Sequence, residues 1–370
     1  MTPGSTKISD APHSLRILHV DLGRQWRGGQ SQALLLMEGL RERGEHVELA
    51  APEGSPLAVK AGQKGFQLLP LPSGGAIIPS AFQLRDYVRR GYDVVHTHDA
   101  AALTAVWLAG LHRKSRLVAA RRLAYPLSKF PGARARYRAA HRVIAISEFV
   151  RQSVLAGGIA PAQVEVVYDG VPVEAPVRSA EKRVLKRLWG CTGAAALVGC
   201  VGYLLPEKGQ ENLVRAMPQI LESIPQARLV LAGDGPCRRQ LVRLAEELGV
   251  SAAVVFAGHV EDVSQVYRAL DVFVFPSPAE PLGSSLLAAM AYGLPVVAAS
   301  GGAVPEVISS GQNGLLVEAG DAGALAEAVV RLLADSELAA RLASAARATI
   351  ENRFTADRMV EATLRIYASV

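Results

Sequence analysis

The chain has 370 residues, half of them apolar and a fifth charged, which is ordinary for a globular protein and enough for two domains. Cys191, Cys200 and Cys237 are odd in number and lack metal-ligand spacing, which excludes a disulfide framework and points to a reduced, cytoplasmic chain. The net charge of +6 is split unevenly, because residues 1–178 carry 23 Lys/Arg against 14 Asp/Glu and residues 179–370 carry 17 against 20.

Residues 1–14 are polar, contain Pro3, Gly4 and Pro12, and have no apolar core, so they read as a loose tail and not as a signal peptide. An apolar strand over 15–20 leads into a turn at 26–30 and a helix over 31–42 that Gly44 ends. Strands follow over 46–50, 66–71, 93–98, 116–120 and 141–146, with helices over 55–64 and 100–111. Such alternation predicts a doubly wound parallel sheet. Between Asp99 and Glu148 there are ten basic residues and no acid. This half should face something anionic, either a membrane surface, a phosphorylated lipid or an acidic glycan. Aromatic residues are scarce there and no nucleic-acid signature accompanies the run, so nucleic acid is not expected. A solvated basic surface is the plain alternative.

The pattern then restarts. Strands are expected over 195–201, 227–232, 253–256, 272–275 and 295–300, and helices over 210–220, 237–248, 263–269, 338–351 and 355–367. The division expected is a tail (1–14), a first domain (15–178), a second domain (179–354) and a C-terminal helix (355–370) crossing back to the first. The break falls near 175–179, beside Pro172 and Pro176. The apolar stretches 100–111 and 286–300 are too short, or too broken by Gly and Pro, to span a bilayer.

Candidate chemistry gathers just past the strand ends. In 271–306 a strand precedes a loop bearing Glu280, and Gly283 and Ser284 open a helix that Gly293 and Pro295 stop. A helix start with small residues presents free N–H groups and a favourable dipole, so it suits a phosphate. Gly202, with Lys208 six residues on before a helix, suits a diphosphate, although no P-loop spacing is present and a surface lysine would look the same. Gly28 and Gly29 allow close backbone approach to a phosphate or sugar, or simply make a tight turn, since no G-x-G-x-x-G accompanies them. His96 and His98 share a strand face; no third ligand with suitable spacing is visible, so His98 reads as a strand-end residue at the cleft and His96 as buried.

Together these residues resemble the GT-B fold, family 4, group 1 glycosyltransferases, which are retaining enzymes. The resemblance rests on W-R-G-G at 26–29, D-V-V-H-T-H at 93–98, A-I-S at 145–147, the loop 202–209, A-G-D-G-P at 232–236 and the segment from Glu280 to Glu306. Arg121–Arg122 with Tyr125–Pro126 is similar to members that build lipopolysaccharide or related envelope glycans. The resemblance implies two Rossmann-like domains facing each other across a cleft. It implies transfer of a hexose-type sugar from a nucleotide-diphosphate donor to an anionic lipid-linked or glycan acceptor, at the inner face of the cytoplasmic membrane. No metal or cofactor is implied. In that scheme His98 and Glu280 attend the transferred sugar. Gly28, Gly29, Gly202, Lys208, Gly283 and Ser284 hold the donor phosphates. His259, Val260 and position 288 meet the base and ribose, while Arg121 and Arg122 serve the acceptor, whose specificity lies in first-domain loops such as 124–138.

Two departures stand. The family's second carboxylate, eight residues after the first, is here Ala288, and the arginine after the glycine of the phosphate loop is Tyr203. They keep two other readings open, a degenerate binding or partner protein and a nucleotide-sugar epimerase.

Overall fold

The computed structural model describes residues 14–127, 131–173, 175, 179–192 and 195–370. Two parallel sheets organise them. The first contains β1 (Arg16–Val20), β2 (His46–Pro52), β3 (Gln67–Leu71), β4 (Val94–Thr97), β5 (Arg116–Arg121), β6 (Arg142–Ala145) and β7 (Val164–Val166), in the order β3-β2-β1-β4-β5-β6-β7. The second contains β8 (Leu197–Val201), β9 (Arg228–Ala232), β10 (Val254–Gly258), β11 (Val272–Phe275), β12 (Val296–Ser300) and β13 (Leu315–Glu318), in the order β10-β9-β8-β11-β12-β13.

Helices cover both faces of each sheet, so the central strands are buried on both sides. Every residue of β4 and β11 is buried, and this is why β11 reads as an unbroken apolar run and β4 as an apolar or β-branched one interrupted only by His96, rather than as alternating ones. In each sheet the strand order reverses beside its first strand, between β1 and β4 and between β8 and β11. Crevices form at the C-terminal ends of strands at such switch points, and both crevices here open onto one cleft.

The two passages between the halves run side by side. Val171 N–H donates to the Phe354 carbonyl (2.9 Å), and Ala356 N–H donates to the Val171 carbonyl (3.1 Å). The last helix, Ala356–Ser369, lies on the first helix, Gly28–Glu42. Met359, Val360, Ile366 and Tyr367 share a buried cluster with Ile17, Leu36 and Leu40. The boundary expected at 175–179 and nearly all of the 1–14 tail lie outside the described residues. No helix among the described residues is long and apolar enough to cross a membrane.

Local structure departs from expectation at several places, and the strands Val164–Val166 and Leu315–Glu318 and the helices Ile77–Tyr87, Glu148–Ala156, Ser179–Leu188 and Ala322–Ala334 were not expected at all. The first helix begins at Gly28, so the glycine pair forms its opening turn and not a preceding turn. Part of the loop expected over 124–138 is a helix, Pro131–Arg138, started by proline at its first position. The loop after β12 contains the short helix Val304–Val307, which sets Glu306 against the first domain.

Candidate functional site

The second-domain wall is made of three strand ends. After β8, Gly202 donates its N–H to the Ala232 carbonyl (3.0 Å), and a single turn at Pro206–Lys208 brings Lys208 inward. After β11, Glu280 is buried, and its carboxylate accepts from Lys208 Nζ. The Ser277 hydroxyl lies 2.9 Å from both Glu280 Oε1 and the Glu207 carbonyl oxygen, tying this loop to the lysine turn. Gly283 then opens the helix Ser284–Ala291 from a left-handed backbone (φ 97°). A side chain there would be strained, and its Cβ would lie 2.9 Å from the Phe275 ring. The first turn of this helix carries no acidic residue and its N-cap makes no side-chain bond, so its N–H groups are left without a cap where Gly283, Ser284 and Ser285 line the cleft.

The first domain supplies the other wall through the start of the helix Gly28–Glu42. A Cβ built on Gly28 would stand 3.0 Å from Ser284 Oγ, so two helix N-termini face each other across the gap. Arg27, the N-cap residue, is exposed in the same gap. Its guanidinium is 5.2 Å from the centre of the Tyr203 ring on the opposite wall. Between the walls lies a cavity of about 1080 Å³ lined by Gly28, Gly202, Lys208, His259, Val260, Glu280, Gly283, Ser284 and Ala288. Nine residues singled out in the sequence thus meet in one place. Gly29, His98, Arg121 and Arg122 are not among those lining it.

His98 is buried rather than open to the cleft. Parallel pairing of β1 with β4 sets His19 opposite His96, and the three imidazoles form one buried cluster. His19 Nδ1 lies 2.8 Å from His98 Nε2, and His96 Nδ1 lies 2.6 Å from the Tyr367 hydroxyl on the last helix. Burial pushes His19 down to about 3 and His96 and His98 well below the usual histidine range, so all three are neutral at neutral pH. A neutral imidazole of such low basicity offers a hydrogen bond, not a proton-accepting base. Ring nitrogens of the three lie within 4.8 Å of one another, a donor set that a metal could use and that spacing along the chain did not reveal. Two features oppose a cation. His19 and His98 are already bonded to each other, and the Arg122 guanidinium is near enough to depress His96 and His98 further.

Arg122 is paired with the buried Asp169 beside the start of the first helix, and its Cδ would be 3.4 Å from a Cβ on Gly29. Arg121 points the other way. It is buried, donates to the Tyr125 carbonyl (2.5 Å), and stands over the Tyr137 ring, so it braces the 122–127 loop from inside and does not face the cleft. Asp21, also buried, accepts from Gly23 N–H and the Gln30 amide; burial and then Asp99 push its carboxyl up to about 6. His19 and Asp169 escaped the sequence reading because their partners, His98 and Arg122, are distant along the chain, and Asp21 and Ser277 because no motif marked them.

Two family models match the chain. Residues 26–175 match that of the family 4 glycosyltransferases, and residues 191–349 match that of the group 1 glycosyl transferases. An uncharacterized glycosyltransferase from Methanocaldococcus jannaschii is 34% identical over 232 residues, 61% of this chain and 59% of its own. The lipopolysaccharide core biosynthesis glycosyltransferase LpsE of Rhizobium meliloti is 37% identical over 175 residues, 47% of this chain and 50% of its own. The chain thus spans about half the length of these curated relatives. Among solved structures, Anabaena HepE in complex with UDP and glucose superposes with a TM-score of 0.86 at 22% identity, covering 96% of this chain and 100% of that one.

Proposed function

The chain belongs to the family 4, group 1 glycosyltransferases of the GT-B fold, and on that premise we propose that it transfers a hexose-type sugar from a nucleotide-diphosphate donor to an envelope acceptor. The observation that carries this reading is the cavity in which Gly202, Lys208, Glu280 and the start of the helix Ser284–Ala291 face Gly28. The leaving diphosphate gathers negative charge as the glycosidic bond breaks. Lys208 and the two helix N-termini meet that charge without a metal in this reading. Glu280 holds the sugar, and the base lies against His259 and Val260. Front-side transfer with retention, the course this reading takes, needs no dedicated side-chain base. In that course the leaving phosphate oxygen takes the acceptor proton as the acceptor oxygen bonds to the anomeric carbon.

LpsE is named for lipopolysaccharide core synthesis, and the first domain carries the positive excess. Both support a lipid-linked or anionic glycan acceptor met at the cytoplasmic membrane face. Arg122, beside Gly29, remains an acceptor-side candidate, and His98 acts by orienting its neighbours. The test is incubation of the protein with radiolabelled UDP-, GDP- and ADP-sugars and envelope-lipid extract. Label should move to lipid or glycan, and neither transfer nor donor hydrolysis with any donor would overturn the proposal. Tyr203 and Ala288 favour a second reading, a shell that binds nucleotide without turnover, which predicts nucleotide affinity and no transfer.

A further inference from the structure

We infer that Arg27, on the first domain, is a binding residue for the distal phosphate of a nucleoside diphosphate held on the second domain. The inference rests on the nucleotide reading of the cleft given above.

Among the described residues, Arg27 and Lys208 are the two Lys or Arg side chains lining the cavity. Lys208 is already matched, since it donates to Glu280. Glu38, another acid of the lining, is paired with Lys64. Arg27 makes no ion pair with a carboxylate among the described residues. Its partners are neutral: Nε and Nη2 donate to the Gln25 amide oxygen (2.9 and 2.6 Å), and the guanidinium face lies on the Tyr203 ring. The side chain is therefore held in place while its charge is left uncompensated. An anion site needs this combination, because the ordering of a long side chain is already complete before the ligand arrives.

Position selects the ligand. Arg27 immediately precedes Gly28, which faces Ser284 at the start of the opposing helix. His259, Val260 and Ala288 line the same cavity as the base and ribose end. A nucleotide lying along that wall presents its phosphates toward the helix start, with the outer one nearest the first domain. The guanidinium can then bridge the domains, so the diphosphate would tie Arg27 to Lys208. Tyr203 acts as a positioning residue, setting the guanidinium by stacking across the gap.

Calorimetry with UDP, GDP, ADP and the matching monophosphates tests this. If the wild-type protein binds none of the diphosphates, the nucleotide reading itself fails. If it binds one, Arg27→Ala should weaken that diphosphate by about tenfold to a hundredfold and leave the monophosphate within about twofold. Unchanged diphosphate affinity, or an equal loss for both nucleotides, would overturn the role of Arg27. Tyr203→Leu should weaken diphosphate binding in the wild-type background and have no further effect with Arg27→Ala. An equal loss in both backgrounds would remove Tyr203 from the scheme.

Discussion

Three imidazoles buried without charge make stability depend on acid in a predictable direction. The unfolded chain protonates its histidines near their ordinary value, whereas folded His19 resists until about 3. Between those limits the unfolded state holds more protons, so stability is complete above the ordinary value and falls as pH falls below it. His19 alone would cost about 2 kcal/mol at about pH 5. Asp21, raised to about 6, works in the opposite sense, since its folded form takes up a proton first. His96 and His98 side with His19. His19→Gln should therefore flatten the acid decline of melting temperature between about pH 6.5 and about pH 5, and parallel curves for the two proteins would refute the burial argument. Position 288 gives a second prediction. Ala288 is on the cavity wall, one turn from Ser284, so Ala288→Glu should tighten nucleoside diphosphate binding by about tenfold or more. Unchanged affinity on titration would mean that the new carboxylate does not reach the ribose. Residue type and position after a strand end singled out Lys208 and Glu280, which the structure brings to one cavity. It failed for Arg121, because a run of positive charge does not say which side of β5 each guanidinium takes.

At the scale of elements, the central strands were legible because burial on both faces leaves little choice of residue, whereas the partly buried edge strands Val164–Val166 and Leu315–Glu318 were missed. Helix starts were less so. Glycine normally argues against a helix interior, yet Gly28 and Gly29 occupy the first turn, where the N–H groups have no carbonyl of their own helix to bond and lack of a side chain admits the opposing helix. Apart from the return of the last helix, contacts between the halves were not legible, since they join residues more than a hundred positions apart. Glu306 is the clearest case. Its carboxylate accepts from the N–H groups of Glu148 (2.9 Å) and Phe149 (2.8 Å), capping the helix Glu148–Ala156 from the other domain, and from the Tyr168 hydroxyl (2.9 Å). Beside it, the Ser147 hydroxyl donates to the Pro281 carbonyl (2.5 Å). A carboxylate at a helix N-terminus gains from both hydrogen bonding and the dipole. Glu306→Gln keeps the shape but loses the charge and an acceptor, so it should lower the melting temperature by about 2–4 °C, for a loss of about 1 kcal/mol. A shift under about 1 °C by calorimetry would mean that the solvated protein does not hold this contact.

For the molecule as a whole, the paired crossings and the returning last helix leave the cleft as the place where the halves can move. The charge asymmetry says how the molecule would meet its acceptor. In the first domain the helix Ile77–Tyr87 exposes Ile78 (63%) and Phe82 (62%), with the Arg85 guanidinium over the Phe82 ring. The loop before it abuts the loop after β1, because a Cβ on Gly75 would lie 2.9 Å from the Leu22 carbonyl oxygen. This apolar pair therefore follows a loop packed against the chain just past β1, and Tyr125, 66% exposed, belongs to the loop that Arg121 braces. Aliphatic and aromatic side chains ringed by arginine suit the headgroup layer of an anionic membrane. Such docking would turn the cleft toward a lipid-linked acceptor while the more acidic second domain stays in solution. Cosedimentation with vesicles of anionic lipid should show binding that weakens between about 0.1 M and about 0.5 M salt, as screening shortens the reach of the charges. Ile78→Asp with Phe82→Asp should reduce the partition coefficient about tenfold or more, since it removes apolar contact and adds repulsion. Equal binding to neutral vesicles, or no loss in the double variant, would place the membrane contact elsewhere.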